Sequence, residues 1–100
     1  MHYLGLDVGD ARIGVAVSDE TGTLASGRPT LQRTGPRKDV KAVAELARRH
    51  DVDEVVVGLP RRLDGSLGPQ ARKVLEFVDQ LRAAGMQAVT WDERFSTAAA

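Results

Sequence analysis

The chain opens on strict alternation. Leu4, Leu6 and Val8 share one face while Tyr3, Gly5 and Asp7 share the other, which predicts a strand from Tyr3 to Val8. Gly9 and Asp10 supply turn chemistry. A second strand follows from Ile13 to Ser18, where Ile13, Val15 and Val17 alternate against Gly14, Ala16 and Ser18. Asp19-Glu20-Thr21-Gly22 reads as a hairpin connection into a weaker third strand, Thr23 to Leu31, interrupted by Gly27 and Pro29. The period then lengthens to that of a helix. Val40, Val43, Ala44 and Ala47 recur on one side, with Lys41, Glu45, Arg48 and Arg49 on the other. His50 ends that helix and suits its C-terminal dipole. Glu54 to Leu59 carries the continuous run Val55, Val56 and Val57 and is stopped by Pro60, the pattern of a strand covered on both faces. Asp64-Gly65 marks a turn, and Pro69 is placed to start a second helix with Ala71, Val74, Leu75, Val78 and Leu81 as its buried stripe. Gly85 is its predicted C-cap, Met86 to Asp92 a last strand, and Ser96 or Thr97 could cap a third helix.

The element order is β-β-β-α-β-α-β-(α): a hairpin meander followed by two helical crossovers. Right-handed crossovers put the fourth strand beside the first and the fifth beyond it. The expectation is an α/β fold with a mixed five-stranded sheet, order 3-2-1-4-5, strand 2 antiparallel and helices packed on the sheet. That arrangement resembles the ribonuclease H-like architecture.

Composition narrows the setting. One hundred residues make one domain, and 42% hydrophobic with 28% charged side chains is ordinary globular usage. No cysteine is present, which removes thiolate nucleophiles, disulfides and Cys-based zinc sites. No apolar run approaches a membrane span, and no basic n-region precedes the first strand, so a soluble cytoplasmic protein with no membrane partner is expected. Fourteen basic and 14 acidic side chains balance, which argues against a globally basic nucleic-acid binder but leaves room for local patches.

The topology gathers acids. Ligands of such sheets collect at the carboxyl ends of the parallel strands, and there the first strand presents Asp7 and the last presents Asp92 and Glu93. The two strands lie roughly 10 Å apart. Glu93 reaches inward where an aspartate falls short, and alternation sends Asp92 and Glu93 in opposite directions. Glu93 is therefore preferred as the partner of Asp7, with Asp92 a weaker candidate ligand. Gly5 and Gly9 flank Asp7 on its own face and leave it accessible. Clustered carboxylates repel unless a cation sits between them, and a hard ion such as Mg²⁺ or Mn²⁺ suits oxygen ligands. Two such ions about 4 Å apart would clamp the attacking and leaving oxygens of a phosphodiester. Asp10, Asp19 and Asp64 read as solvated turn acids.

The basic residues partition along the chain. Arg28, Arg33, Arg37 and Lys38 form a stretch with no acid among them; Arg61 and Arg62 follow Pro60 at the same edge, and Arg94 follows Glu93. Arg61, Arg62, Arg94, Arg12, Arg33 and Lys38 are the candidate nucleic-acid-binding side chains, set against the ordinary reading of loop cations as solvated surface. Trp91, the single tryptophan, reads as core.

Four stretches carry a family resemblance: Leu4 to Ser18 (LGLDVGDARIGVAVS), Val56 to Pro60 (VVGLP), Leu63-Asp64-Gly65, and Asp92 to Thr97 (DERFST). Together, in this order and spacing, they resemble the YqgF family, also called RuvX or Holliday junction resolvases. The first stretch alone is shared with sugar kinases and actin-like ATPases. The resemblance implies a divalent-metal-dependent nuclease of ribonuclease H-like fold, associated with maturation of the 5′ end of pre-16S ribosomal RNA and with cutting branched DNA. It implies catalytic and metal-binding roles for Asp7 and Glu93, structured RNA or branched DNA as partner, and a homodimer if junctions are cut. Similar proteins carry a third acid on a C-terminal helix; no residue here takes that role, so residues 1–100 are expected to form a single domain lacking that helix. Two other readings stay open: a non-catalytic nucleic-acid-binding module of the same fold, and half of an actin-like ATPase, which would need a second lobe.

Overall fold

The computed structural model describes residues 2–18, 24–25, 30–62 and 64–92. Strand β1 (Tyr3–Val8) and strand β2 (Arg12–Ser18) form the predicted hairpin, with Leu6 opposite Val15 and Asp7 opposite Gly14. The expected third strand is two short pieces, β3 (Leu24–Ala25) and β4 (Leu31–Gln32), both antiparallel to β2. The Gly27 and Pro29 positions that interrupt this stretch in sequence, like the expected 19–22 hairpin, lie outside the described residues.

Helix α1 (Pro36–Arg49) leads to β5 (Glu54–Leu59), and helix α2 (Pro69–Ala83) leads to β6 (Ala88–Asp92). Each helix carries proline in its first turn, where an N–H would lack an intrahelical acceptor anyway. Gly85, with φ of 93°, follows the Ala84 cap of α2 in the left-handed region where a side chain would be strained. Strands β1, β5 and β6 are mutually parallel, and the six-stranded sheet runs β3-β2-β1-β5-β6 with β4 also on β2. Counting β3 and β4 as the third strand, this is the predicted 3-2-1-4-5 order.

The core lies between one face of the sheet and the two helices. Leu4, Leu6, Val8, Ile13, Val17, Val55, Val57, Leu59 and Ala88 meet Val43 of α1 and Ala71, Val74, Phe77, Val78 and Leu81 of α2. Period-two alternation makes this possible, since each strand gives every second residue to the helices. Two expectations need correction. The β5 strand is not equally covered on both faces: Val55, Val57 and Leu59 are buried, while Glu54, Val56 and Gly58 are only partly so. Trp91 is not core, being 52% exposed. Register pairs it with Gly58, and Val89 with Val56, on the face that α1 and α2 do not cover.

Leu81 closes the end of the core with no exposed surface. Leu81→Ala is expected to cost about 2–5 kcal/mol, the range for opening a leucine-sized cavity, read as a lower denaturation midpoint with unchanged slope in urea.

Candidate active site

The carboxyl edge of the parallel strands is where the sheet and the chemistry meet. Asp7 is the penultimate residue of β1, and it stands on the face away from the helices. Its side chain is exposed, and among the described residues it carries no hydrogen bond or ion pair. The surroundings are small. A Cβ built on Gly14, directly across the β1–β2 ladder, would come 3.5 Å from the Asp7 Cβ. On the other side Leu6 pairs with Val57, which brings Gly58 beside Asp7. Among the described residues, the Asp7 carboxylate therefore has a glycine, with no side chain, in register on each neighbouring strand.

The turn after Asp7 is tight. Gly9 N–H donates to the Arg12 carbonyl at 2.8 Å, and a Cβ on Gly9 would lie only 3.1 Å from that oxygen. Glycine suits that position because a side chain would crowd the Arg12 carbonyl by a few tenths of an ångström, not because of its φ.

Most of the predicted cations in the described residues reach this same edge. Arg12 opens β2 beside the end of β1, and Lys38 lies in the first turn of α1; both are exposed. Arg61 and Arg62 follow β5 and are also exposed, in a loop held by Arg62 N–H to the Ser66 carbonyl at 3.1 Å. Arg61 Nη1 donates to the Gly65 carbonyl at 3.0 Å, and Asp64 is a turn acid as expected, accepting from Ser66 N–H at 2.9 Å. Asp92 closes β6 in register with Leu59. Glu93 and Arg94 lie outside the described residues.

Arg33 departs from the expectation of a phosphate-facing cation. Its guanidinium is turned into the molecule: Nε donates to Asp39 at 2.8 Å, Nη1 donates to the Gly9 carbonyl at 2.7 Å, and the group lies 5.4 Å from the Phe77 ring centre. The reason is Asp39, an acid in the first turn of α1 that is only 3% exposed and that the sequence reading passed over. Burial pushes the Asp39 carboxyl up, but hydrogen bonds from Thr34 N–H and Arg33, the Arg33 charge and Gly35 N–H outweigh this and hold it below its ordinary value. A first-turn aspartate five residues after a loop Thr was the available signal. Gln70 and Lys73 of α2 were also missed. Gln70 Nε2 donates to the Val8 carbonyl at 3.2 Å, and Lys73 Nζ to Asp10 at 3.3 Å.

The chemistry of Asp7 fits a divalent ion: it is an exposed hard oxygen donor with glycine rather than a side chain beside it on each neighbouring strand. Among the described residues no three acids or histidines converge as a ligand set. No described helix is long and apolar enough to cross a membrane.

Comparison with known proteins gives a consistent result. The chain is 48% identical over 99 residues to the "Putative pre-16S rRNA nuclease" of Desulforudis audaxviator, covering 98% of this chain and 70% of that protein. The same-named protein of Caldanaerobacter subterraneus is 48% identical over 98 residues, covering 97% and 70%. Among solved structures, Thermus thermophilus RuvC in complex with a Holliday junction substrate superposes with a TM-score of 0.65 at 18% identity, over 94% of this chain and 66% of RuvC. A "putative sugar kinase" from Cytophaga hutchinsonii superposes with a TM-score of 0.59 at 15% identity, over 93% of this chain and 36% of that protein. These last two likenesses show a shared fold, of the ribonuclease H type. The model of the RuvX family, described as Holliday junction resolvase, matches residues 1–100, and with relatives at this identity the chain belongs to that family.

Proposed function

We propose that this chain is a divalent-metal-dependent nuclease acting on structured nucleic acid in the cytoplasm, with 5′-end maturation of pre-16S ribosomal RNA as its first substrate class and branched DNA as its second. The observation that carries the reading is Asp7: an exposed carboxylate with no partner among the described residues, at the carboxyl edge, with glycine across the ladder. An acid kept accessible and uncompensated in a strand is poorly suited to stability and well suited to holding a cation. Family membership and the names of its relatives support the same reaction class.

In this reading Asp7 and Glu93 hold the ion, with Asp92 a weaker contributor. Mg²⁺ or Mn²⁺, when bound, supplies Lewis acidity toward a phosphodiester oxygen. The remaining work belongs to the chain. Gly14 and Gly58 keep the flanks of Asp7 open to the backbone of the substrate. Arg12, Arg61, Arg62 and Lys38, with Arg94, hold phosphates on either side of the scissile one and fix its register. Trp91 and Val89 present an apolar surface on the same face as Asp7. RNA end-trimming needs one such site, whereas paired cuts in a junction need two related by symmetry, in a homodimer.

The test is cleavage of end-labelled structured RNA and a four-way DNA junction by this chain, with Mn²⁺ or with EDTA. The expected result is cleavage of the RNA in Mn²⁺ and none in EDTA. Salt-sensitive binding of both substrates without cleavage would replace this reading with a non-catalytic nucleic-acid-binding module.

A further inference from the structure

Of the four residues after Asp7, three are held by side chains from the helix side of the sheet and the fourth by the backbone that follows β4. The Val8 carbonyl accepts from Gln70 Nε2, and the Gly9 carbonyl from Arg33 Nη1. The Asp10 carboxylate accepts from Lys73, and the Ala11 carbonyl accepts from the Arg33 backbone N–H at 2.9 Å. Arg33 therefore grips both limbs of the turn at once, one with its side chain and one with its backbone. It is anchored in turn by Asp39, whose other oxygen accepts from Thr34 N–H at 3.0 Å.

A surface turn does not require such attention. Water satisfies exposed carbonyls, and ordering long side chains costs conformational entropy. Packing fixes the β1 end at buried Val8 but does not fill the space behind the rest of the turn. Behind it lies a concavity of about 320 Å³ whose lining includes Asp10, Arg33, Asp39, Gln70, Lys73 and Phe77. Polar contacts across that space add to the core packing of Val8 in setting where the turn after β1 stands.

We infer that Arg33 is a positioning residue: anchored on buried Asp39, it fixes the Val8–Ala11 turn and through it the place of the Asp7 carboxylate at the carboxyl edge. The inference rests on the nuclease reading for what Asp7 does, and on the geometry alone for what Arg33 does. Arg33 touches no substrate in this role. Lysine at position 33 keeps a positive charge for Asp39 but cannot serve Asp39 and the Gly9 carbonyl together, because it lacks the guanidinium fork.

The experiment compares the wild-type chain with Arg33→Lys and, as a metal-site control, Asp7→Asn. It measures Mn²⁺ binding by electron paramagnetic resonance, steady-state cleavage, thermal melting and amide exchange of ¹⁵N-labelled protein. Arg33→Lys is expected to melt within a few degrees of wild type. It should bind Mn²⁺ at least about tenfold more weakly, the range for losing a side chain that orients a ligand. The value of kcat should fall by a similar factor with KM within twofold, and the Gly9 and Arg12 amides should exchange faster while those of Val55 and Val57 do not. Unchanged Mn²⁺ affinity and turn exchange in Arg33→Lys overturn the inference. If wild type shows no Asp7-dependent Mn²⁺ binding, the nuclease reading fails instead, and amide exchange at Gly9 and Arg12 still decides whether Arg33 holds the turn.

Discussion

Asp7→Asn should lower the cleavage rate by at least about three orders of magnitude while leaving the melting temperature within a degree or two of wild type. Asparagine has the same shape and keeps one oxygen, so the change removes the negative charge and little else. The fold has nothing to lose. Asp7 is exposed, and its carboxylate is bound to no described residue. Its neighbour across the ladder is Gly14, with which no side-chain packing exists to be disturbed. Transition-state stabilisation by a bound cation is worth several kcal/mol, and about 4 kcal/mol corresponds to three decades in rate. A variant that stays folded and loses activity separates chemistry from stability in one measurement, a coupled cleavage assay and thermal melt. Cleavage that survives the substitution, with the same metal dependence, would sink the assignment of Asp7.

The placement of Asp7 was legible in the sequence because strand alternation is a local signal. Tyr3–Val8 and Glu54–Leu59 have the bounds that the apolar pattern predicts, and Pro69 starts its helix where expected. The sheet order followed from two crossovers of fixed hand. The errors arose where the answer depended on which face of the sheet the helices cover. Trp91 is apolar enough to be core, yet it shares a face with Asp7 rather than with Leu4 and Leu6, as the Gly58–Trp91 register makes plain. Counting alternation across strands from Asp7, rather than judging each residue by hydrophobicity, would have placed it correctly.

The charges were less legible for a different reason. Arg33 and Lys38 stand close together in one basic stretch, and nothing local distinguishes a solvated cation from an internal strut. The distinction is made by Asp39, one residue beyond that stretch, which tertiary packing buries to 3% exposure beneath Arg33. The same stretch thus sends Lys38 to the surface and Arg33 inward. Gln70 is legible only in three dimensions, since its acceptor at Val8 lies 62 positions earlier in the chain.

Asp39 is accordingly where the largest stability effect of a polar substitution is expected. Asp39→Ala leaves the Arg33 guanidinium without its counter-charge and Thr34 N–H without an acceptor. Breaking a buried pair costs about 3–5 kcal/mol, and the 25% exposure of the Arg33 side chain puts this case near 3 kcal/mol. For a domain of this size that is roughly 15 °C in melting temperature. The pH dependence carries a definite sign. The folded-state carboxyl of Asp39 is held below its ordinary value, so its contribution is fully present above the unfolded value of about 3.9. It is lost as pH falls through the lower folded value. Melting curves of wild type and Asp39→Ala should therefore stand well apart from pH 7 down to about pH 5, and the gap should narrow on further acidification as wild type loses the part of the contribution that depends on the ionised carboxylate. A gap that stays constant through pH 2 would mean that shape, not the ionised pair, is what Asp39 contributes.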